Sequence, residues 1–321
     1  MEIAVIGGSG FLGSHLIEEL SGRDCSIRIL TSRSPGAEER SNPDKVTRAK
    51  ISFDDENDLL QALSGCDAVV YLSGINREKH PGDFQKVHVE NLAKVIAVAG
   101  KLSIKKLVYA SFLKARPGTV SKYLQSKWDG EVLLRNSTLD YTILKPGICF
   151  GSGDQMISSI VRGLRMTPYV GIFGAVGLHE PLMSPLHAQD MAVIMASALL
   201  DGKLSRQTNL VLGPEALPLS EAVKRVAKVM KKKVLIINVP VPVMFAFAWI
   251  LEHVMVNSLV TVSQIRMLAD GLSHSQNKPD KLSELSEEIS TTENALPLPN
   301  ELKPKTYFTE QQIRVAIGQI S

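Results

Sequence analysis

The sequence predicts an α/β protein: a doubly wound parallel sheet with a smaller C-terminal α/β region. Three observations predict it. Short apolar runs alternate with helical patterns over residues 1–150, a glycine-rich turn joins the first run to an amphipathic helix, and 44% of the 321 residues are hydrophobic, enough for a sizeable core. Continuous rather than alternating apolar runs suit strands buried on both faces, the condition of a parallel sheet covered by helices on each side.

The strand runs are "IAVI" (3–6), "SIRIL" (26–30), "DAVVYL" (67–72), "KLVYAS" (106–111) and "YTIL" (141–144). Helical patterns at 11–21, 56–64, 84–101 and 121–135 fall between them, and right-handed crossovers put these helices on both faces. After Phe150 the character changes. "GSGDQMISSIVRGLR" reads as a loop leading to a helix, and "YVGIFGAVG" (169–177) as a glycine-rich connection. Asp190 is placed to cap the helix at "MAVIMASALL". A strand, a helix and a strand follow at 208–212, 219–231 and 234–238. Residues 273–305, rich in Ser, Glu, Asn and Pro, read as an exposed connector, and 309–319 as a short amphipathic helix that docks back.

Composition narrows the function classes. A net charge of +3 without a long Lys/Arg block argues against nucleic-acid binding. Cys25, Cys66 and Cys149 lie far apart, which suits a reducing compartment and suggests neither a disulfide framework nor a metal site. "MEIAVIGGSG" enters a strand with no charged leader, so a cytoplasmic location is expected. The apolar stretch 239–262 is long enough to span a bilayer, but Glu252, His253 and Asn257 interrupt it. It reads as a buried or half-buried helix, with peripheral membrane or protein-complex contact as its other use.

The strongest local signal is "AVIGGSGFLGSHLIEEL". Gly7 suits a tight turn, Gly10 lets the backbone approach a pyrophosphate, and Gly13 lets the helix pack close to the sheet. Ser9, Phe11 and Leu12 complete the turn, and amides at the helix start would meet the phosphates. This strand–turn–helix is the dinucleotide fingerprint of a Rossmann domain. At the end of the second strand, Thr31 and Ser32 stand where an acidic residue would bind the ribose of NAD, and Arg33 follows. A guanidinium without a competing carboxylate suits a 2′-phosphate, so NADP(H) is favoured and NAD(H) remains the alternative.

Two Tyr–Lys pairs share a four-residue spacing: "YLQSK" (123–127) and "YTILK" (141–145). On a strand that spacing spans about 13 Å, which keeps Tyr141 and Lys145 from sharing one substrate atom. On a helix it places Tyr123 and Lys127 on one face, near the carboxyl ends of the strands where ligands of open α/β sheets bind. An ammonium beside the phenol is expected to lower its pKa and make Tyr123 an acid or base.

Together "GGSGFLG", "YLQSK" and "LKPGICFGSGD" resemble a short-chain dehydrogenase/reductase of the extended or atypical kind. "LSGINREKHPGDFQKVHVENL", "SKYLQSKWDGE" and "PLMSPLHAQDMA" are similar to the branch containing the nucleotide-binding accessory subunit of respiratory complex I and its bacterial relatives. The resemblance covers residues 1–200 well and the rest loosely. It implies that Lys127 also holds the nicotinamide ribose, that Pro146, Gly147 and Ile148 pass the nicotinamide, and that Leu72, Ser73 and Gly74 border the adenosine half. The family serine falls at Ser111 or Phe112, and its asparagine at His88, with Asn91 one turn on. His187 near Asp190 has the look of a catalytic dyad, but the resemblance makes it a structural junction.

The resulting expectation is an NAD(P)-dependent oxidoreductase acting on a small carbonyl or hydroxyl substrate through Tyr123, Lys127 and Ser111. A non-catalytic accessory or assembly protein and a nucleotide-sugar epimerase or dehydratase are the alternatives. Residues 1–150 would form the nucleotide-binding domain, 151–272 an interwoven substrate or partner region, and 273–321 the connector and terminal helix.

Overall fold

The computed structural model describes residues 1–32, 45–172, 180, 182–240, 243–246, 248–249 and 295–318. Arg33, residues 173–177, most of the apolar stretch 239–262 and the connector from 273 to 294 lie outside the described residues.

The chain begins with β1 (Glu2–Ile6), α1 (Phe11–Ser21), β2 (Ser26–Thr31), β3 (Val46–Lys50), α2 (Glu56–Leu63) and β4 (Ala68–Tyr71). Then come α3 (Asp83–Gln85), a π-helical turn (Lys86–Glu90), α4 (Asn91–Lys101), β5 (Lys106–Ala110), α5 (Lys122–Arg135) and β6 (Asp140–Pro146). The later half holds β7 (Cys149–Phe150), α6 (Gln155–Met166), β8 (Tyr169–Ile172), β9 (Leu182–Met183), β10 (Leu186–His187) and α7 (Ala188–Leu200). It ends with β11 (Gln207–Val211), β12 (Leu217–Pro218), α8 (Leu219–Val229), β13 (Leu235–Asn238), a 3-10 turn (Asn300–Leu302) and α9 (Glu310–Gly318).

Seven parallel strands form the sheet in the order β3-β2-β1-β4-β5-β6-β11. Successive residues of β1 serve opposite faces. Ile3 and Val5 join Leu16, Ile17 and Met191 from α1 and α7, whereas Ala4 and Ile6 join Leu59, Leu63, Leu92 and Val95 from α2 and α4. Covering both faces removes the polar alternation from β4 and β5, whose residues are all buried. Strand order reverses between β1 and β4, so a crevice opens at their carboxyl ends, the usual ligand position in such sheets.

β3 has no counterpart among the expected strands. Only Val46 of its "VTRAK" is buried, because an edge strand needs little apolar surface. β8 also replaces part of the expected connection: it pairs in parallel with β13. Asp190 is not the cap of its helix. The His187 ring accepts from the Gln189 N–H (3.2 Å) at the start of α7, while Asp190 accepts from the backbone N–H groups of Lys305 and Thr306. That carboxylate therefore anchors the C-terminal segment. Phe308, Ile313 and Ala316 then close a second core with Phe150, Ile157, Val161 and Val226. Among the described residues no helix is long and apolar enough to cross a membrane.

Candidate functional site

The glycine loop sits at the reversal point. Gly7 has φ +84°, and a Cβ there would lie 2.7 Å from the Ser73 backbone nitrogen. A Cβ on Gly13 would meet the Gly7 carbonyl oxygen and the Gly8 backbone at 2.6 Å. Both positions exclude a side chain for reasons of space, and Gly7 for conformation as well. Gly10 caps α1 without a side-chain bond, so the first amides of that helix keep their donors for an anion. Ser9 and Gly10 are exposed, Phe11 and Leu12 half-buried, and Phe11 packs edge-on to His15 at 5.4 Å. These features fit a dinucleotide pyrophosphate.

Leu72, Ser73 and Gly74 link this loop to α5. Leu72 N–H donates to the Ile6 carbonyl (2.9 Å), Ser73 abuts Gly7, and a Cβ on Gly74 would lie 3.4 Å from Lys127 Nζ. The next residue, Ile75, donates its N–H to His88 Nε2 (3.1 Å), and His88 Nδ1 bonds Ser126 Oγ (2.8 Å). Since the Ser126 hydroxyl donates to the Tyr123 carbonyl, Nδ1 carries the imidazole proton and Nε2 accepts. Burial, and then the Lys127 charge, push the His88 pKa down to about 2, so the ring is neutral. His88 belongs to the π-helical turn, a local widening of the helix often found at functional sites.

Tyr123 and Lys127 lie in the first two turns of α5, which Ser121 caps by accepting from the Leu124 N–H. Lys127 Nζ donates to the Ala110 carbonyl (3.1 Å) and stands 5.3 Å from the Tyr109 ring centre. Burial brings its pKa down to about 8, against the opposing pull of Glu131. The phenol of Tyr123 moves the opposite way from expectation. Burial raises its pKa, and the Cys149 thiol adds to the rise. The half-buried ring lies among Phe84, His88 and Phe112, at 5.6, 5.6 and 5.5 Å, and this surrounding desolvates the phenolate. Tyr123 is therefore held as a neutral phenol.

Ser111 is not turned toward Tyr123. Its hydroxyl donates to Glu131 Oε1 (2.5 Å), deep in the fold, and Phe112 takes the place beside the tyrosine. Glu131 also pairs with Lys145 (3.2 Å) and Arg135, while Lys145 donates to the Ala115 carbonyl (2.5 Å). The second Tyr–Lys pair is thus divided: Lys145 joins a buried ionic cluster, and Tyr141 packs in the core under the Arg206 guanidinium.

Pro146, Gly147 and Ile148 continue from β6. Their backbone is fixed by bonds from Leu113 N–H to Pro146 O, Gly147 N–H to Val211 O, and Leu186 N–H to Ile148 O. A Cβ on Gly147 would approach the Ser184 carbonyl to 3.3 Å. The segment leads into Cys149, whose thiol burial raises to about 12 and keeps protonated.

Several contributors escape a linear reading: the π turn, the imidazole bridge, Glu131, and the aromatic side chains around Tyr123. Lys50 is another. It pairs in register with Thr31 at the carboxyl end of the neighbouring strand and is exposed, but an unrecognised β3 hides that proximity. Among the described residues no group of three or more His, Cys, Asp or Glu side chains is arranged to hold a metal ion.

Residues 7–156 match a family model described as NAD(P)H-binding. Over 269 residues the chain is 22% identical to the mitochondrial NADH-ubiquinone oxidoreductase 40 kDa subunit of Neurospora crassa, covering 81% of this chain and 68% of that protein. It is 30% identical over 159 residues to the UPF0659 protein YMR090W of Saccharomyces cerevisiae, covering 46% of this chain and 69% of that protein. The NADPH-dependent quinone oxidoreductase QOR2 of Escherichia coli, solved with NADPH, shares the fold with a TM-score of 0.67 at 18% identity, over 96% of this chain and 98% of that one. The glycine loop, the sheet order and these relationships lead to one assignment: residues 7–156 form a domain of the NAD(P)H-binding family, in a chain homologous to the 40 kDa subunits of complex I.

Proposed function

We propose that the protein is an NAD(P)H-dependent oxidoreductase that reduces a small carbonyl-type substrate. The observation that carries this reading is a neutral, half-buried Tyr123 phenol on the same helix as a Lys127 ammonium that adjoins Gly74. When bound, the nicotinamide supplies a hydride to the substrate carbon. Gly7, Gly10 and Gly13 admit the pyrophosphate, and Lys127 holds the nicotinamide ribose. Pro146, Gly147 and Ile148 line the nicotinamide side.

A phenol kept protonated at neutral pH suits proton donation to the substrate oxygen. Its proton passes to that oxygen as charge develops there, and the phenolate that remains is reprotonated from solvent. Ser111 takes no part in this reading, because Glu131 holds its hydroxyl. Phe84 and Phe112 frame an apolar approach to Tyr123 and suit a flat, weakly polar acceptor such as a quinone. NADPH is the favoured cofactor: Arg33 follows two hydroxyl residues in sequence, and Lys50 stands in register with Thr31.

A second reading, an accessory subunit whose nucleotide stabilises the fold, is favoured by the engagement of Ser111 and by the homology to complex I subunits. Tyr123→Phe separates the two. Oxidation of NADPH with quinone and aldehyde acceptors should fall by at least about a hundredfold while nucleotide affinity changes less than about threefold. A variant as fast as the parent removes Tyr123 from the chemistry. A parent that turns over none of these acceptors, yet binds NADPH, supports the accessory role.

A further inference from the structure

We infer that the outer face of the small β8–β13 sheet, with the end of α6, docks on an anionic lipid surface. The two strands pair in parallel with Tyr169 opposite Leu235 and Gly171 opposite Ile237. Side chains alternate along each strand. Val170, Ile172 and Ile236 point inward to pack with Ile160 and Val223, while Tyr169, Leu235 and Ile237 point out and remain 57, 57 and 44% exposed. Met166, at the end of α6, is 68% exposed and extends the same apolar edge. Isolated exposed apolar residues are ordinary, but several on one face mark a contact surface.

Charge identifies the partner. Arg162 and Arg165 from α6 and Lys231, Lys232 and Lys233 before β13 are all exposed, and no acidic residue occurs in 155–172 or 230–240. The Lys232 ammonium donates to the Leu164 carbonyl (2.8 Å), and the Leu235 N–H to the Pro168 carbonyl (2.8 Å), which joins the two basic stretches. Five cations with no ion pair among the described residues, beside an apolar face, match anionic headgroups over acyl chains. The aliphatic stems of the lysines can lie along the apolar layer while their ammonium groups reach phosphate. The chain continues from this face into the apolar sequence "VPVPVMFAFAW", and Val239 and Met244 cover the Gly171 position of the face, which leaves Tyr169, Leu235 and Ile237 as its exposed apolar part.

The test is sedimentation of the full chain with vesicles at about 0.15 M salt. Phosphatidylcholine vesicles containing roughly one-third phosphatidylserine should carry the protein down, and pure phosphatidylcholine vesicles should leave it in solution. Lys231→Gln with Lys233→Gln should lower partitioning about thirtyfold, and Leu235→Ser with Ile237→Ser at least about tenfold. NADPH affinity, measured on each variant, reports that the nucleotide domain is intact. Equal recovery with both vesicles, no recovery with either, or recovery unaffected by both variant pairs overturns the proposal. Binding to polyglutamate that matches binding to the anionic vesicles, and ignores Leu235→Ser with Ile237→Ser, also overturns it and assigns the face to an acidic protein.

Discussion

Acid should weaken the nucleotide-free protein through His88, and the structure sets the size of the effect. The imidazole is neutral in the native state with its pKa pushed down to about 2, against 6.5 for an ordinary histidine. Below 6.5 the unfolded chain takes up a proton that the native chain refuses, so native stability falls as pH falls. Each pH unit costs about 1.4 kcal/mol, and at about pH 5 the His88 contribution amounts to roughly 2 kcal/mol. Asp154 acts in the opposite sense. Burial raises its carboxyl to about 6, so the native state takes up a proton before the unfolded state and gains about 1 kcal/mol at about pH 5. Comparison of the parent with His88→Gln cancels the Asp154 contribution. Loss of the bonds to Ile75 and Ser126 lowers the variant's stability at every pH, so the informative quantity is the change between pH values. Urea unfolding at about pH 7.5 and about pH 5 should show the parent losing roughly 2 kcal/mol more than His88→Gln. Equal losses in the two proteins would refute a buried neutral imidazole.

Two further outcomes concern the nucleotide loop and cofactor choice. In Gly13→Val the added atoms meet the Gly7 and Gly8 backbone, where even a Cβ would lie at 2.6 Å. NADPH binding by calorimetry should disappear, with about 1–3 kcal/mol lost in urea unfolding; retained affinity would contradict the close packing. Lys50→Gln and Arg33→Gln should each weaken NADPH about tenfold and leave NADH within about twofold, because only the former has a 2′-phosphate. Parallel changes for both nucleotides would exclude that contact.

Much of the fold is legible because its signals are local. Five strands of the sheet read as apolar runs, and α1 covers Phe11–Ser21 as the glycines and the helical pattern imply. β3 is lost because an edge strand exposes most of its side chains, and β8 because its glycine is needed under Val239. The π turn is also hidden, since Lys86–Glu90 carries an ordinary helical pattern and the widening arises where the chain packs against α5. A would-be Cβ on Gly130 of α5 stands 2.8 Å from the His88 carbonyl, a closeness that only packing reveals.

The candidate site divides along the same line. By itself the sequence determined that a strand, a glycine turn and a helix would follow one another, and that Tyr123 and Lys127 would share one helix. Spacing within one element suffices for both, because helix and turn geometry is set over a few residues. Tertiary structure alone decided that Ser111 turns to Glu131, that Lys145 enters the same buried cluster, and that burial raises the Tyr123 pKa. Those outcomes depend on which side chains from distant elements fill one volume and on how completely they remove water. Hydrogen-bond partners and desolvation are properties of that volume, and no stretch of chain carries them on its own.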